Sequence, residues 1–340
     1  MKKTAVALVA SSLVIAQDFT NTKLMDGINQ LQRGMELAKK KEADLRNPYH
    51  FEKAKTQREV SYILASHLDE VGAWMFMVKS FNALSKAVSE KPVMDQLAPQ
   101  PENSKSHAEK LGIAVESLVK GLIYVRENRG FNCAPAELAR GEAYYEALVY
   151  ELSKSRPNAD FLVDFYKRSW AEINKATEMV DLAREGQLEC YTGVPFVVQV
   201  QRREPEKPPV PLEPAPHQAS PREEPLMVTA RIHFDFNKHT IKREYIPLLN
   251  EVVKTLQENP NIRVRIEGFT DHVGTKAYNE RLALRRAQAV RDYLIRAGIP
   301  ADRIEVAGFG KDRYIADNKT PMGRFTNRRA EFIILQVPGR

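Results

Sequence analysis

Apolar side chains recur at every third or fourth position through the first half of the chain, then change to strict alternation near residue 228. Leu24, Ile28, Leu31, Met35 and Ala38 mark one helical stripe. After Asn47-Pro48 a longer pattern runs through Val60, Ile63, Leu64, Leu68, Val71, Trp74, Met75, Val78, Phe81, Leu84 and Val88, closed by Pro92 and Pro99. The spacing predicts three more helices: over about 104–128 with Gly130 as its cap, from Pro135 onward, and over about 158–184 with a stop at Gly186. Ala139, Ala143 and Ala147 form a small-residue stripe on the second of these, which lets a neighbouring helix approach closely. The patch Trp74-Met75-Phe76-Met77 falls at helical spacing and is expected in the core. Packed as antiparallel hairpins, these helices suffice for a domain of their own.

The alternating part reads differently. Val228, Ala230, Ile232, Phe234 and Phe236 interleave with Thr229, Arg231, His233 and Asp235, the pattern of a half-buried strand. A helix carrying Leu248, Leu249, Val252, Val253 and Leu256 follows, with Pro247 in its first turn. Ile262, Val264 and Ile266 alternate with charged residues and end at Gly268. A second helix carries Leu282, Ala283, Ala287, Val290 and Leu294, then stops at Gly298. Ile304, Val306 and Ala307 predict a third strand, and Arg329 to Val337 a fourth. The fold class expected is α + α/β: an all-helical N-terminal domain and a β-α-β-α-β-β two-layer C-terminal domain, helices against a mixed sheet.

Eight of the chain's twenty prolines fall in residues 201–225. Proline removes a backbone donor and fixes φ, so this stretch is expected to be an extended linker, roughly 75 Å long at about 3.1 Å per residue. A short PxxP ligand is the alternative reading. Phe196 to Val200 suggests a short strand leading into it. At the other end, Met1-Lys2-Lys3 followed by apolar residues from Ala5 to Ala16 has the layout of a secretory signal peptide. About twelve residues is too short to span a bilayer, and no longer apolar run occurs. No cysteine follows to carry a lipid. The organisation expected is a signal peptide at 1–16, a helical domain at 17–200, a proline-rich linker at 201–225 and a second domain at 226–340, in an exported protein without a transmembrane span.

Charge and cysteine content sharpen this picture. Of 340 residues, 51 are basic and 44 acidic, a net of +7. Residues 17–200 carry 24 basic and 26 acidic groups, whereas residues 226–340 carry 21 and 13. The basic excess belongs to the C-terminal domain, and export makes nucleic acid an unsuitable partner for it. Two cysteines exclude a disulfide-built scaffold or a cysteine-rich zinc module. Cys133 and Cys190 are expected to pair in an oxidising compartment, closing a loop worth roughly 4 kcal/mol in the chain-entropy model, with two separate buried thiols as the alternative.

Five motifs in the alternating region carry a family resemblance. Ile232-His233-Phe234-Asp235-Phe236-Asn237 resembles the opening strand of the OmpA-like peptidoglycan-binding domain. Gly268-Phe269-Thr270-Asp271-His272-Val273-Gly274 resembles its Gly-aromatic-Thr-Asp-x-x-Gly loop. Asn279, Leu282, Arg285-Arg286-Ala287 and Val290 follow at the family's spacing. Gly308-Phe309-Gly310 and Asn327-Arg328-Arg329 complete the set. The resemblance covers residues 226–337 and implies a periplasmic module that binds the diaminopimelate of the peptidoglycan stem peptide without cleaving it. In the family, the positions of Asp271 and Arg286 carry this recognition. Asn237, Thr270, Asn279 and Arg329 match positions that line the pocket or shape its loops, although Asn279 also suits a helix cap and Arg328 competes with Arg329.

The residue chemistry agrees with that implication. The end of a diaminopimelate side chain bears an ammonium and a carboxylate on one carbon. Arginine meets a carboxylate with two parallel charge-assisted hydrogen bonds, and aspartate accepts from an ammonium. Enzymatic readings find no support. The seven histidines show no metal-ligand spacing, and no serine or cysteine has a nucleophile's setting. No cofactor or metal is implied. The reading is a non-catalytic wall-binding protein of a Gram-negative-type periplasm that tethers an envelope component through its helical domain. The alternative is a structural subunit of an outer-membrane or motor complex that uses the domain as its anchor; a wall-remodelling enzyme is the weaker reading.

Overall fold

The computed structural model describes residues 22–89, 93–100, 105–192 and 225–336. The signal peptide, almost all of the proline-rich linker and the Phe196–Val200 strand lie outside the described residues.

Helices dominate the first part. They are α1 (Thr22–Lys40), α2 (Ala43–Arg46), α3 (Pro48–Ser66), α4 (Glu70–Ala87), α5 (Lys105–Lys110), α6 (Val115–Glu127), α7 (Gly130–Cys133), α8 (Pro135–Leu152), α9 (Ala159–Glu185) and α10 (Glu189–Thr192). The long pattern after Asn47 is two helices rather than one. Leu68 takes a left-handed φ of 64°, and the Asp69 carboxylate then caps α4 by accepting from Gly72 N at 3.0 Å. The apolar period hides this break, because α3 and α4 fold back on each other and present their stripes to one core. The helix expected over 104–128 is likewise split, at Gly112 with φ of 67°. Trp74, Phe76 and Met77 are fully buried, as are Ala139, Ala143 and Ala147. Cys133 and Cys190 are disulfide-bonded, with Cα atoms 5.1 Å apart, tying α7 to α10.

This helical core contains a buried ionic cluster. The Lys53 ammonium, 2% exposed, lies 3.0–3.1 Å from carboxylate oxygens of Asp95, Glu142 and Glu146. Lys79 joins Glu146 to Glu251 of the sheet region, at 3.2 and 3.1 Å. Burying any one of these charges alone would cost several kcal/mol, so the cluster is mutually dependent.

The second part contains β1 (Pro225–His233), α11 (Ile246–Glu258), β2 (Ile262–Gly268), α12 (Lys276–Arg296), β3 (Ile304–Gly308), α13 (Pro321–Asn327) and β4 (Arg329–Gln336). The sheet order is β1-β4-β2-β3; β4 is antiparallel to both neighbours, and β2 pairs parallel with β3. Alternation puts Ala230, Ile232, Phe234, Val264, Ile266, Ala330 and Phe332 into one core with Leu248, Leu249, Ala287, Val290 and Leu294 of the helices. The mixed two-layer fold agrees with the sequence reading. Helix α13 is an addition to it, started by Thr320, whose hydroxyl accepts from Gly323 N at 2.9 Å.

The two parts meet along α4, which packs on β1 and α11, while α1 also touches β1. Glu70, Trp74, Asn82 and Lys86 are spaced at multiples of four and follow a stripe that winds by about 160° around the helix from one end to the other. At one end of α4, Glu70 faces His233 at 3.3 Å and Arg231 at 3.7 Å, and the Arg231 guanidinium lies 5.6 Å from the Trp74 ring. Towards the other end, Lys79 meets Glu251, Lys86 meets Glu258 at 2.9 Å, and Asn82 bonds Glu258 and Asn259. Acid meets base at the start of α4 and base meets acid at its finish.

Candidate functional site

Strand β2, the loop behind it and α12 build one pocket. At Gly268 a Cβ would run into the Ala283 carbonyl, so glycine lets the end of β2 lie directly against α12. The chain then turns through Phe269-Thr270-Asp271. Thr270 N donates to Gly310 O at 2.8 Å, and the Asp271 carboxylate accepts from Val273 N at 3.1 Å. Thr275 caps α12 by accepting from Tyr278 N at 3.3 Å. Asn279 is therefore not the cap: its amide donates to Val273 O at 3.0 Å and holds the loop onto the helix. Asn237 sits beyond β1 with a left-handed φ of 57°, and its side-chain oxygen accepts from the Tyr278 hydroxyl.

These elements enclose about 220 Å³. Asn237, Thr270, Asp271, Asn279, Arg286 and Arg328 supply its polar lining, and Phe236, Val273, Tyr278 and Leu282 its apolar wall. Five of the six ligand residues expected from sequence are thus brought together. Arg329 is not among them. Its guanidinium stacks 3.8 Å from the centre of the Phe269 ring and donates to Glu331 at 2.8 Å, turned into the sheet. Its neighbour Arg328 takes the place at the pocket, because α13 ends there and sends the two arginines to different sides.

The charges are arranged unequally. Arg328 Nη1 lies 2.9 Å from Asp271 Oδ2, and Arg328 Nε donates to Phe234 O at 3.0 Å. Arg286 is fully buried and donates to three main-chain carbonyls instead: Phe269 O at 2.7 Å, Lys238 O at 3.0 Å and Asp235 O at 3.3 Å. A guanidinium has five N–H groups, so two remain uncommitted. No carboxylate among the described residues forms an ion pair with Arg286. Burial, reinforced by the nearby positive Arg328, lowers its pKa to about 10, which still leaves it cationic at neutral pH.

A larger cleft of about 540 Å³ lies at the seam, lined by Lys86, Asp95, Lys254 and Glu258 among others. Its charges neutralise one another, with Lys86 bridging Asp95 at 2.6 Å and Glu258 at 2.9 Å. Among the described residues, no group of three or more His, Cys, Asp or Glu side chains is arranged to hold a metal ion, and no helix is long and apolar enough to cross a membrane.

Residues 233–328 match the OmpA family. They form an OmpA-family domain. Residues 22–192, which build the helical part, lie outside that match. Outer membrane protein Omp38 of Acinetobacter baumannii is 44% identical over 122 residues, which cover 35% of this chain and 34% of Omp38. The peptidoglycan-binding protein ArfA of Mycobacterium bovis is 41% identical over 87 residues, covering 26% of this chain and 27% of ArfA. The chain spans about a third of the length of the first of these relatives. Among solved structures, the peptidoglycan-associated lipoprotein from Burkholderia pseudomallei is similar over 31% of this chain and 88% of its own, at 31% identity and a TM-score of 0.30.

Within the OmpA-family domain, sequence reasoning placed Arg329 where the structure places Arg328, and it missed the apolar wall. Tyr278 and Val273 carried a signal in hindsight, being large apolar-faced residues at a loop and first helical turn where solvated residues are usual. The Asn327-Arg328-Arg329 motif proves to be mostly architectural. Asn327 is buried and accepts from Ile315 N at 2.9 Å and Ala316 N at 3.1 Å.

Proposed function

We propose that this chain is a non-catalytic cell-wall binder whose OmpA-family domain grips the diaminopimelate of peptidoglycan stem peptides. The observation that carries this reading is the buried Arg286 cation, which forms no ion pair among the described residues and has two N–H groups beyond its three main-chain bonds, in a pocket that also holds Asp271. A site of that kind is set for a carboxylate. A ligand end with an ammonium beside the carboxylate would meet Asp271 as well. The resemblance to relatives named for peptidoglycan supports the choice of polymer. In this reading residues 17–200 and 226–340 are two domains joined by the linker at 201–225, the protein is periplasmic, and the helical domain links another envelope component to the wall.

The test is co-sedimentation with purified sacculi. The wild-type chain is expected to sediment with them, and Arg286→Gln and Asp271→Asn to remain largely in the supernatant while keeping native circular dichroism. Wild-type protein that stays in the supernatant overturns the reading. Release of soluble muropeptides by the wild type would overturn its non-catalytic part.

A further inference from the structure

One end of the helical part carries an apolar surface that nothing among the described residues covers. Helices α1 and α4 pack together there, and a groove of about 200 Å³ lies between them. Gly34, Leu37 and Ala38 of α1 line one side, with Phe81, Leu84 and Val88 opposite. A Cβ at Gly34 would stand 3.2 Å from the Leu84 side chain, so the absence of one keeps room between the helices. Leu84 also packs on a small core of Met35, Ala38, Phe51, Ala83 and Ala87, separate from the main one. Yet Leu37 is 60% exposed, Val88 54%, and Leu45 of α2 76%. Asn47 holds the end of α2 against the end of α4, donating to Ala87 O at 2.7 Å and Ser89 O at 2.8 Å. The three exposed apolar side chains therefore stand at the same end of the molecule.

The charge at this end differs from that of the rest of the helical part. Residues 33–46 carry five basic and three acidic groups, a net of +2, whereas residues 17–200 as a whole carry 24 and 26. Lys39 approaches Asp44 at 3.9 Å, and Arg46 pairs with Glu42 at 3.2 Å. Arg33, Lys40 and Lys41 are exposed and form no ion pair among the described residues, and Lys41 lines the groove. Arg33, Leu37 and Lys40 are spaced four and three apart, so two of these cations flank the exposed leucine on one face of α1.

We propose that this end of the helical part is a membrane-surface contact: Leu37, Leu45 and Val88 enter the acyl boundary of a bilayer, and Arg33, Lys40 and Lys41 meet anionic phospholipid headgroups. Interfacial binding needs both features, apolar area to remove from water and cations to meet negative lipid. A helix of a protein partner would fill the groove but leave Leu45 open, because Leu45 stands outside the lining. A bilayer surface is broad and deformable enough to take all three apolar side chains at once. The assignment does not depend on what the OmpA-family domain grips.

Hydrogen–deuterium exchange of the full chain tests this, because it reads location as well as binding. Vesicles of equal parts phosphatidylglycerol and phosphatidylcholine are expected to slow exchange in segments 33–46 and 81–89. Phosphatidylcholine alone should leave both segments unchanged. The apolar stretch at residues 5–16 can also bind vesicles, and the position of the protected segments separates the two. Lys40→Gln combined with Lys41→Gln is expected to raise the lipid concentration needed for protection by at least about tenfold, and Leu37→Asn by a similar factor. All three side chains are exposed, so both variants should keep the wild-type thermal midpoint. Absence of protection in these segments, or protection of both variants at the wild-type lipid concentration, overturns the proposal. Protection by a helical peptide of leucine and glutamate, and not by vesicles, overturns it as well and assigns the groove to an acidic protein partner.

Discussion

Arg328 Nη1 sits 2.9 Å from Asp271 Oδ2, so the acid expected to meet a ligand is held by a residue of the protein itself. The pair closes one side of the pocket and leaves the buried Arg286 as its unpaired demand for negative charge among the described residues. Arg328→Gln removes the partner of a nearly buried carboxylate. It is expected to destabilise the OmpA-family domain by about 2 kcal/mol, read from urea unfolding. The same variant frees Asp271 for a ligand ammonium, so sacculus binding should persist despite the lost stability. Unchanged stability would show that the pair does not support the fold.

Gly268→Ala tests how the loop is placed. A methyl group there meets the backbone of α12 at Ala283, which cannot move without shifting Arg286. The cost expected is about 3 kcal/mol by overpacking, visible as a lower midpoint in thermal unfolding, together with loss of sacculus binding. Wild-type stability in this variant would contradict the close approach of β2 and α12.

The disulfide between Cys133 and Cys190 spans 57 positions. Closing a loop of that length restricts the unfolded chain by roughly 4 kcal/mol in the entropic account. Cys133→Ser with Cys190→Ser is expected to lower the stability of the helical part by that order and to leave peptide binding by the OmpA-family domain unaltered. Equal unfolding midpoints with and without the bond would contradict this.

Acid should weaken the helical core and the seam together. Burial would raise the Glu70 carboxyl, but His233, and after it Arg231 and the Trp74 indole N–H, outweigh burial and hold its pKa down to about 2. At Glu146 burial is likewise outweighed, by Lys53 and Lys79, and its pKa is also about 2. Both lie below the ordinary 4.5 of a glutamate. Their contribution is fully present above pH 4.5 and is lost as pH falls through about 2. With 37% of its side chain open, Glu70 is screened by water, so its share is the smaller one. Urea midpoints are expected to be level above pH 5 and to fall below it, less steeply in Glu70→Gln. A midpoint independent of pH down to 2 would rule out these pairings.

Much of this was legible in the sequence, for definite physical reasons. Pro135 and Gly186 bound α8 and α9 because proline fits a first turn and glycine a helix end. The β2 loop and α12 announced themselves through glycine, Asp271 and Arg286, whose types the geometry restricts. Three things were not legible. The break at Leu68 and Asp69 interrupts no apolar period. The choice between Arg328 and Arg329 depends on where α13 ends, and that short helix leaves little pattern. The docking stripe on α4 is written in Glu70, Trp74, Asn82 and Lys86, where polar and buried residues alternate as they would on any half-solvated helix. Only the partner surfaces of β1 and α11, more than 140 residues away in sequence, give those positions their meaning.

The most direct test of the central claim is a nitrogen–proton NMR titration of the full chain with the stem tripeptide L-Ala-γ-D-Glu-meso-diaminopimelate. The account predicts saturable shifts at the Arg286 guanidinium Nη–H groups and at the backbone of Thr270, Asp271, Val273 and Gly274. Residues of the seam cleft, such as Lys254 and Asn259, should stay in place. Shifts confined to that cleft, or none at all at millimolar peptide, would contradict it.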